Sequence, residues 1–152
     1  MEFDNSPPIK MDILVHKVRP FTSSIIVNEK EYVPLSMYTE DIVTEKFYKL
    51  IEVQLNIPFT GNKFANNRSK IVTYFDDILI CYSQIHSTTD WNLNQLFISG
   101  SAINISPGHH VFKVEACVDD GELHIPEVST SCIETTKNPR ISYSLLIKGF
   151  RE

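Results

Sequence analysis

The chain has 152 residues, of which 42% are hydrophobic, 11% aromatic and 22% charged, with a formal net charge of -5. A domain of this length buries most of the surface its unfolded chain exposes, so the composition describes one globular domain and excludes a disordered chain. The acidic balance, with Lys and Arg scattered, excludes nucleic acid as the main partner, because neutralising phosphates requires a concentrated positive surface.

The opening residues Met1-Glu2-Phe3-Asp4-Asn5-Ser6-Pro7-Pro8 carry acids and prolines where an export signal would have a basic start and an apolar run. Neither an export signal nor membrane insertion is therefore expected, and the compartment stays open between cytoplasm and virus particle. Three cysteines, Cys81, Cys117 and Cys132, are an odd number without a C-x-x-C spacing, and read as small apolar fillers. A Cys117–Cys132 bridge is the alternative. Asn67-Arg68-Ser69 and Asn104-Ile105-Ser106 match the glycosylation pattern, which has meaning only in a secreted chain.

With no repeat and no low-complexity tract, residues 1–9 read as a flexible lead and 10–152 as one domain. Met11 to Val18 and Phe21 to Val27 gather β-branched and aromatic residues and predict two strands separated by Pro20. From Tyr38 to Leu55 two patterns compete. Val43, Phe47, Leu50 and Ile51 have helical spacing, with Thr39 as a cap and Glu40 and Asp41 in the first turn. Phe47, Ile51, Val53, Leu55 and Ile57 alternate with polar residues, which favours a strand after Phe47 that Pro58 ends.

Ile71 to Phe75 and Ile78 to Tyr82 flank Asp76-Asp77 and predict two strands or one bent strand; a polar loop from His86 to Asn92 follows, then a strand over Leu93 to Ile98. Val111 to Val118 and Glu122 to Val128 flank Asp120-Gly121, a dipeptide suited to a tight hairpin. Pairing across it sets Val118 opposite Leu123 and Ala116 opposite Ile125, so that both apolar faces coincide. The last strand, Ile141 to Phe150, turns Ile141, Tyr143, Leu145 and Ile147 inward. Short strands at regular spacing indicate an all-β sandwich or barrel, and an antiparallel β-sandwich is the expected fold.

Chemistry is sparse along this pattern. His109, His110, His124 and Glu115 could suggest a metal, but adjacent histidines of a strand point to opposite faces. In the hairpin register His124 meets Cys117 and His109 meets Cys132, which makes two separate pairs and no three-ligand shell. Asp76-Asp77 and Asp119-Asp120 sit where turns favour Asp. No nucleophile elbow and no phosphate-cradling glycine loop is present, so no catalytic residue, metal or cofactor is expected. The loop carrying His86, Asp90 and Trp91 combines an aromatic ring with hydrogen-bonding groups and is the candidate ligand site, of the kind that recognises sugars.

Residues 66 to 150 resemble the jelly-roll head of the C1q and tumour-necrosis-factor superfamily, with its viral and bacterial relatives. The resemblance lies in Ile105-Ser106-Pro107-Gly108-His109-His110-Val111-Phe112, in Asp120-Gly121-Glu122-Leu123-His124-Ile125 and in Pro139-Arg140-Ile141-Ser142-Tyr143-Ser144-Leu145-Leu146-Ile147. It implies a jelly-roll sandwich in a homotrimer, with Tyr74, Phe75, Tyr143 and Phe150 in core and interface. It also implies a non-enzymatic structural or attachment role, including a place in a virion, with other proteins or surface glycans as partners. A carbohydrate-binding module is the alternative.

Overall fold

The computed structural model describes residues 8–20, 25–61, 67–87, 94–125 and 142–152. Its strands, all antiparallel, are β1 (Lys10–Pro20), β2 (Ile25–Val27), β3 (Val33–Pro34), β4 (Glu40–Thr44), β5 (Tyr48–Gly61), β6 (Asn67–Phe75), β7 (Ile78–Ser87), β8 (Asn94–Ile105), β9 (Gly108–Asp120), β10 (Leu123–Ile125) and β11 (Ser142–Arg151). One short 3-10 helix, Ser36–Tyr38, precedes β4. The first sheet runs β8-β5-β11-β1, and β5 also pairs with β10, which carries β2. The second runs β7-β6-β9, with β3 and β4 sharing the far edge of β9. The all-β sandwich expected from the sequence is the observed architecture.

Alternation of side chains builds the core. Ile51, Val53, Leu55 and Ile57 of β5 and Leu145 and Ile147 of β11 face Ile71 and Phe75 of β6 and Phe112, Val114, Ala116 and Val118 of β9. Phe75 and Phe112 are among the largest fully buried side chains. Burying a side chain of this size fully contributes about 1.5–3 kcal/mol, so these alternating rows hold the layers together. Leu35 and Tyr38, around the 3-10 helix, add to the same cluster.

Four expectations are corrected. Glu40–Thr44 is a strand, not a helical turn: Ile42 and Thr44 are buried whereas Val43 is 75% exposed. Phe47, expected inward, is exposed, and β5 begins one residue later. Pro58 does not end β5, which runs on to Gly61; Pro58 lies opposite Gln95 just past the last β11 partner of β5, where a missing donor is tolerated.

The fourth correction concerns Asp120-Gly121. β9 and β10 do not pair with each other: Val118 lies opposite Ser69 of β6, and Leu123 opposite Val27 and Gly61 in the other sheet. Gly121 does take a positive φ of 72°, but for a bend that carries the chain from one layer to the other. Asn67, itself buried, holds this bend by accepting the Glu122 amide at 3.0 Å. The tight two-residue hairpin is instead at Asp76-Asp77, where φ values of 51° and 63° match the right-handed twist of β6 and β7.

Candidate functional site

The outward side chains of the first sheet form four rows, each crossing β8, β5, β11 and β1 in that order. The register gives Phe97-Asn56-Ser144-Val18, then Ser99-Gln54-Leu146-His16, then Ser101-Glu52-Lys148-Ile13, and last Ile103-Leu50-Phe150-Met11. A half-buried strand turns polar groups outward, yet here Phe97 is 75%, Ile103 67%, Val18 60% and Ile13 58% exposed. Single exposed apolar residues are ordinary, but an apolar row spanning four strands is a contiguous patch of the kind found where proteins bind.

Between the outer walls, Phe97 and Val18, the shorter side chains of Asn56 and Ser144 leave a trough of about 490 Å³, continued by Gln54, Ser99, Leu146 and His16. Its floor carries amides and hydroxyls. Asn56 donates through Nδ2 to Oε1 of Gln95 at 3.4 Å, while its Oδ1 has no hydrogen-bond partner among the described residues.

The strands bearing this face are aligned from behind. The Tyr48 hydroxyl donates to Oδ2 of Asp12 at 2.8 Å, and Nε of Arg151 donates to the same oxygen at 2.7 Å, which ties β5, β11 and β1 at one end. The Arg151 guanidinium, then the Tyr48 hydroxyl, hold the Asp12 carboxyl below its usual value, and burial followed by the Asp12 hydrogen bond pushes the Tyr48 phenol up. At 2.5 Å, Lys17 of β1 donates to Glu40 of β4 and joins the two sheets.

A second polar cluster lies on the other sheet. His110 is buried, stacked on Phe75 at 5.6 Å between ring centroids, with Nδ1 2.5 Å from Oδ2 of Asp76 and Nε2 2.7 Å from the carbonyl of Ser106. The Val111 amide donates to Oδ1 of Asp76 at 2.8 Å. Burial opposes the ring's charge, but the Asp76 carboxylate and the Ser106 carbonyl outweigh it and raise the His110 pKa. With an acceptor beside each nitrogen the ring is a clamp that favours its protonated form, joining the β6–β7 turn to the crossing from β8 to β9. Both ring nitrogens are thus engaged within the fold.

No family model and no curated protein matches the chain. Among solved structures, it is similar to a cycloisomaltooligosaccharide glucanotransferase of Paenibacillus sp. complexed with cycloisomaltoheptaose, at 12% identity and a TM-score of 0.33, over 80% of this chain and 18% of that one. It is also similar to dimeric latent PorU of Porphyromonas gingivalis, at 9% identity and a TM-score of 0.36, over 85% of this chain and 13% of that one. The chain thus spans less than a fifth of either structure, and likenesses this distant carry no function across.

The candidate residues fare unevenly. His86 lies exposed on β7, opposite Arg68 of β6, while Asp90 and Trp91 lie outside the described residues. The expected His124–Cys117 pairing is not formed, because His124 lies opposite Ile26 and Thr60 and bonds Glu122 at 2.6 Å; His109 lies opposite Val43 and bonds Asp41 at 3.0 Å, and its expected partner Cys132 lies outside the described residues. Among the described residues no three His, Cys, Asp or Glu side chains gather as a metal site. Cys81 and Cys117 are free thiols, whereas Cys132, and with it the Cys117–Cys132 bridge, lies outside the described residues. No described helix is long and apolar enough to cross a membrane. Of the aromatics assigned by resemblance, Phe75 is in the core and Phe150 on the outer face; nothing is described of the Tyr143 side chain. The four-row face was missed because its members lie on strands far apart in sequence.

Proposed function

We propose that this chain is a non-enzymatic β-sandwich that acts by binding, in assembly or attachment, through the outer face of β8-β5-β11-β1. The observation that carries this reading is the exposure of Phe97, Ile103, Val18 and Met11 on a sheet whose inner side is already filled. The jelly-roll resemblance supports the same class of role and adds a homotrimer and a place in a virion. Sedimentation of the native protein in extract from its source tests it. Wild-type chain is expected in a larger assembly, and the Phe97→Ser/Ile103→Ser double variant in a lighter one with an unchanged urea midpoint. A native protein that sediments as single free chains removes the role.

The trough favours one second reading, carbohydrate recognition. Amide and hydroxyl groups beside an exposed ring suit a sugar, which stacks its apolar face and hydrogen-bonds its edge. This moves the site from His86, Asp90 and Trp91 to Phe97, Asn56 and Gln54. Glycan-array binding lost on Phe97→Ala supports it, and binding that survives removes it.

A further inference from the structure

We infer that the partner of the outer face is a second copy of this chain, packed face to face about a twofold axis that runs along the strands between β5 and β11. The inference rests on the reading that this face binds. The register carries it. A twofold axis so placed exchanges β5 with β11 and β8 with β1, so each residue of a row lies over its mirror position in the same row of the other copy.

Six of the eight facing pairs then match in kind. In the first row Phe97 meets Val18 and Asn56 meets Ser144; in the second Ser99 meets His16; in the last Ile103 meets Met11 and Leu50 meets Phe150. In the third row Glu52 lies over Lys148 of the other copy, twice by symmetry. Glu52 and Lys148 are also cross-strand neighbours in their own sheet, but neither forms an ion pair within 4.0 Å to any described residue, so both charges stay available to a facing surface. The unlike pairs are Gln54 against Leu146 and Ser101 against Ile13. An isologous interface requires this self-complementarity of one patch; Asn56–Ser144, Glu52–Lys148 and Leu50–Phe150 are also neighbours within one sheet, so the outer pairs Phe97–Val18, Ser99–His16 and Ile103–Met11 carry the added match.

Size and geometry agree. Four strands about 4.8 Å apart and four rows about 6.7 Å apart give a footprint of roughly 500 Å² per copy. The doubled area, about 1,000 Å², is at the lower limit for a specific interface, so the dimer is expected to be reversible rather than obligate. Strand twist then sets the two sheets at roughly 30° to one another, as in aligned sheet packing. A twofold pair takes the place of the threefold arrangement that the resemblance implies.

Charge exchange tests the pairing without touching the core. Sedimentation velocity of purified wild-type chain, Glu52→Lys, Lys148→Glu and the double exchange is compared at low and at physiological salt. Expected are a concentration-dependent dimer for wild type, at least tenfold weaker association for each single variant, in which like charges face each other twice, and recovery in the double exchange. Each single variant also sets like charges opposite one another on β5 and β11 of its own chain, so its urea midpoint should fall slightly and return in the double exchange, while a cooperative transition in all four shows that the variants fold. A wild-type monomer at every concentration overturns the inference, as does a trimer, or a dimer that either single variant leaves intact. A purified monomer whose native form still sediments in a large assembly overturns the twofold pair while leaving the binding role standing.

Discussion

Gly149 offers a test in which the sign of the effect depends on one ring. It lies on β11 opposite Ile51, and a Cβ added there would come within 2.5 Å of Cδ1 and 2.7 Å of Cε1 of Tyr48. Its φ is not in the left-handed region, so Gly149→Ala on an open strand would stabilise by about 0.4–1 kcal/mol through the loss of unfolded-state freedom. The ring cannot yield, because its hydroxyl is bonded to Asp12, which Arg151 holds in turn. Forcing a methyl into filled space costs about 1–3 kcal/mol, so the net expectation is a loss of about 1–2 kcal/mol. In a Tyr48→Ala background the obstacle is gone and the same change should stabilise. The difference between backgrounds, a coupling of about 1.5–3 kcal/mol, is read from urea unfolding of the four proteins of the cycle. Equal effects in both backgrounds, or a wild-type chain stabilised by Gly149→Ala, would refute the argument.

The His110 clamp predicts a pH dependence. Because the folded pKa lies above 6.5, the clamp's contribution is complete below 6.5 and is lost as pH rises through the folded value. The unfolding temperature should therefore fall with rising pH across that window, and Asp76→Asn should flatten the slope; a wild-type midpoint rising there would contradict the clamp. Gly100→Ala sets a Cβ 2.8 Å from the carbonyl oxygen of Ile80, where β8 approaches β7, and should cost about 1–3 kcal/mol by chemical denaturation. Asp77→Gly relieves a non-glycine residue at φ 63° and removes only a surface ion pair to Lys113, so a gain of a few tenths to about 1 kcal/mol is expected.

The division into inside and outside was legible along β9 and β11, though not at Phe47. Phe112, Val114 and Ala116 alternate with half-buried neighbours as their period demands, until Cys117 is buried along with Ala116 and Val118, and Leu145 and Ile147 alternate likewise. Which sheet each strand joins was not legible. Val118 and Leu123 are buried equally well whether they pair across a hairpin or face each other from opposite layers, so hydrophobic pattern alone could not separate a turn from a crossing. The helical spacing of Val43 and Phe47 was misleading for a related reason. Val43 points outward from β4 and Phe47 is exposed in the connection to β5, and the inward set of β4 was hidden because one of its members is Thr44, whose hydroxyl bonds the Ser106 and Gly108 carbonyls at 3.2 and 3.4 Å. The turn at Asp76-Asp77 was legible from its paired Asp residues, but whether it separates two strands or bends one was not, because both residues adopt the left-handed region without a glycine to signal a tight hairpin. The four-row face depends on the register of strands brought together from both ends of the chain, which no local window contains.

The position of β11 has a consequence for synthesis. It lies between β5 and β1, and the Asp12–Arg151 bond that fastens it joins residues 139 apart in sequence. Until β11 has left the ribosome, β1 lacks its partner among the described strands and β5 has an open rim. Such non-local closure slows folding and leaves strand edges available to other nascent copies, so a truncated product should aggregate rather than fold partway.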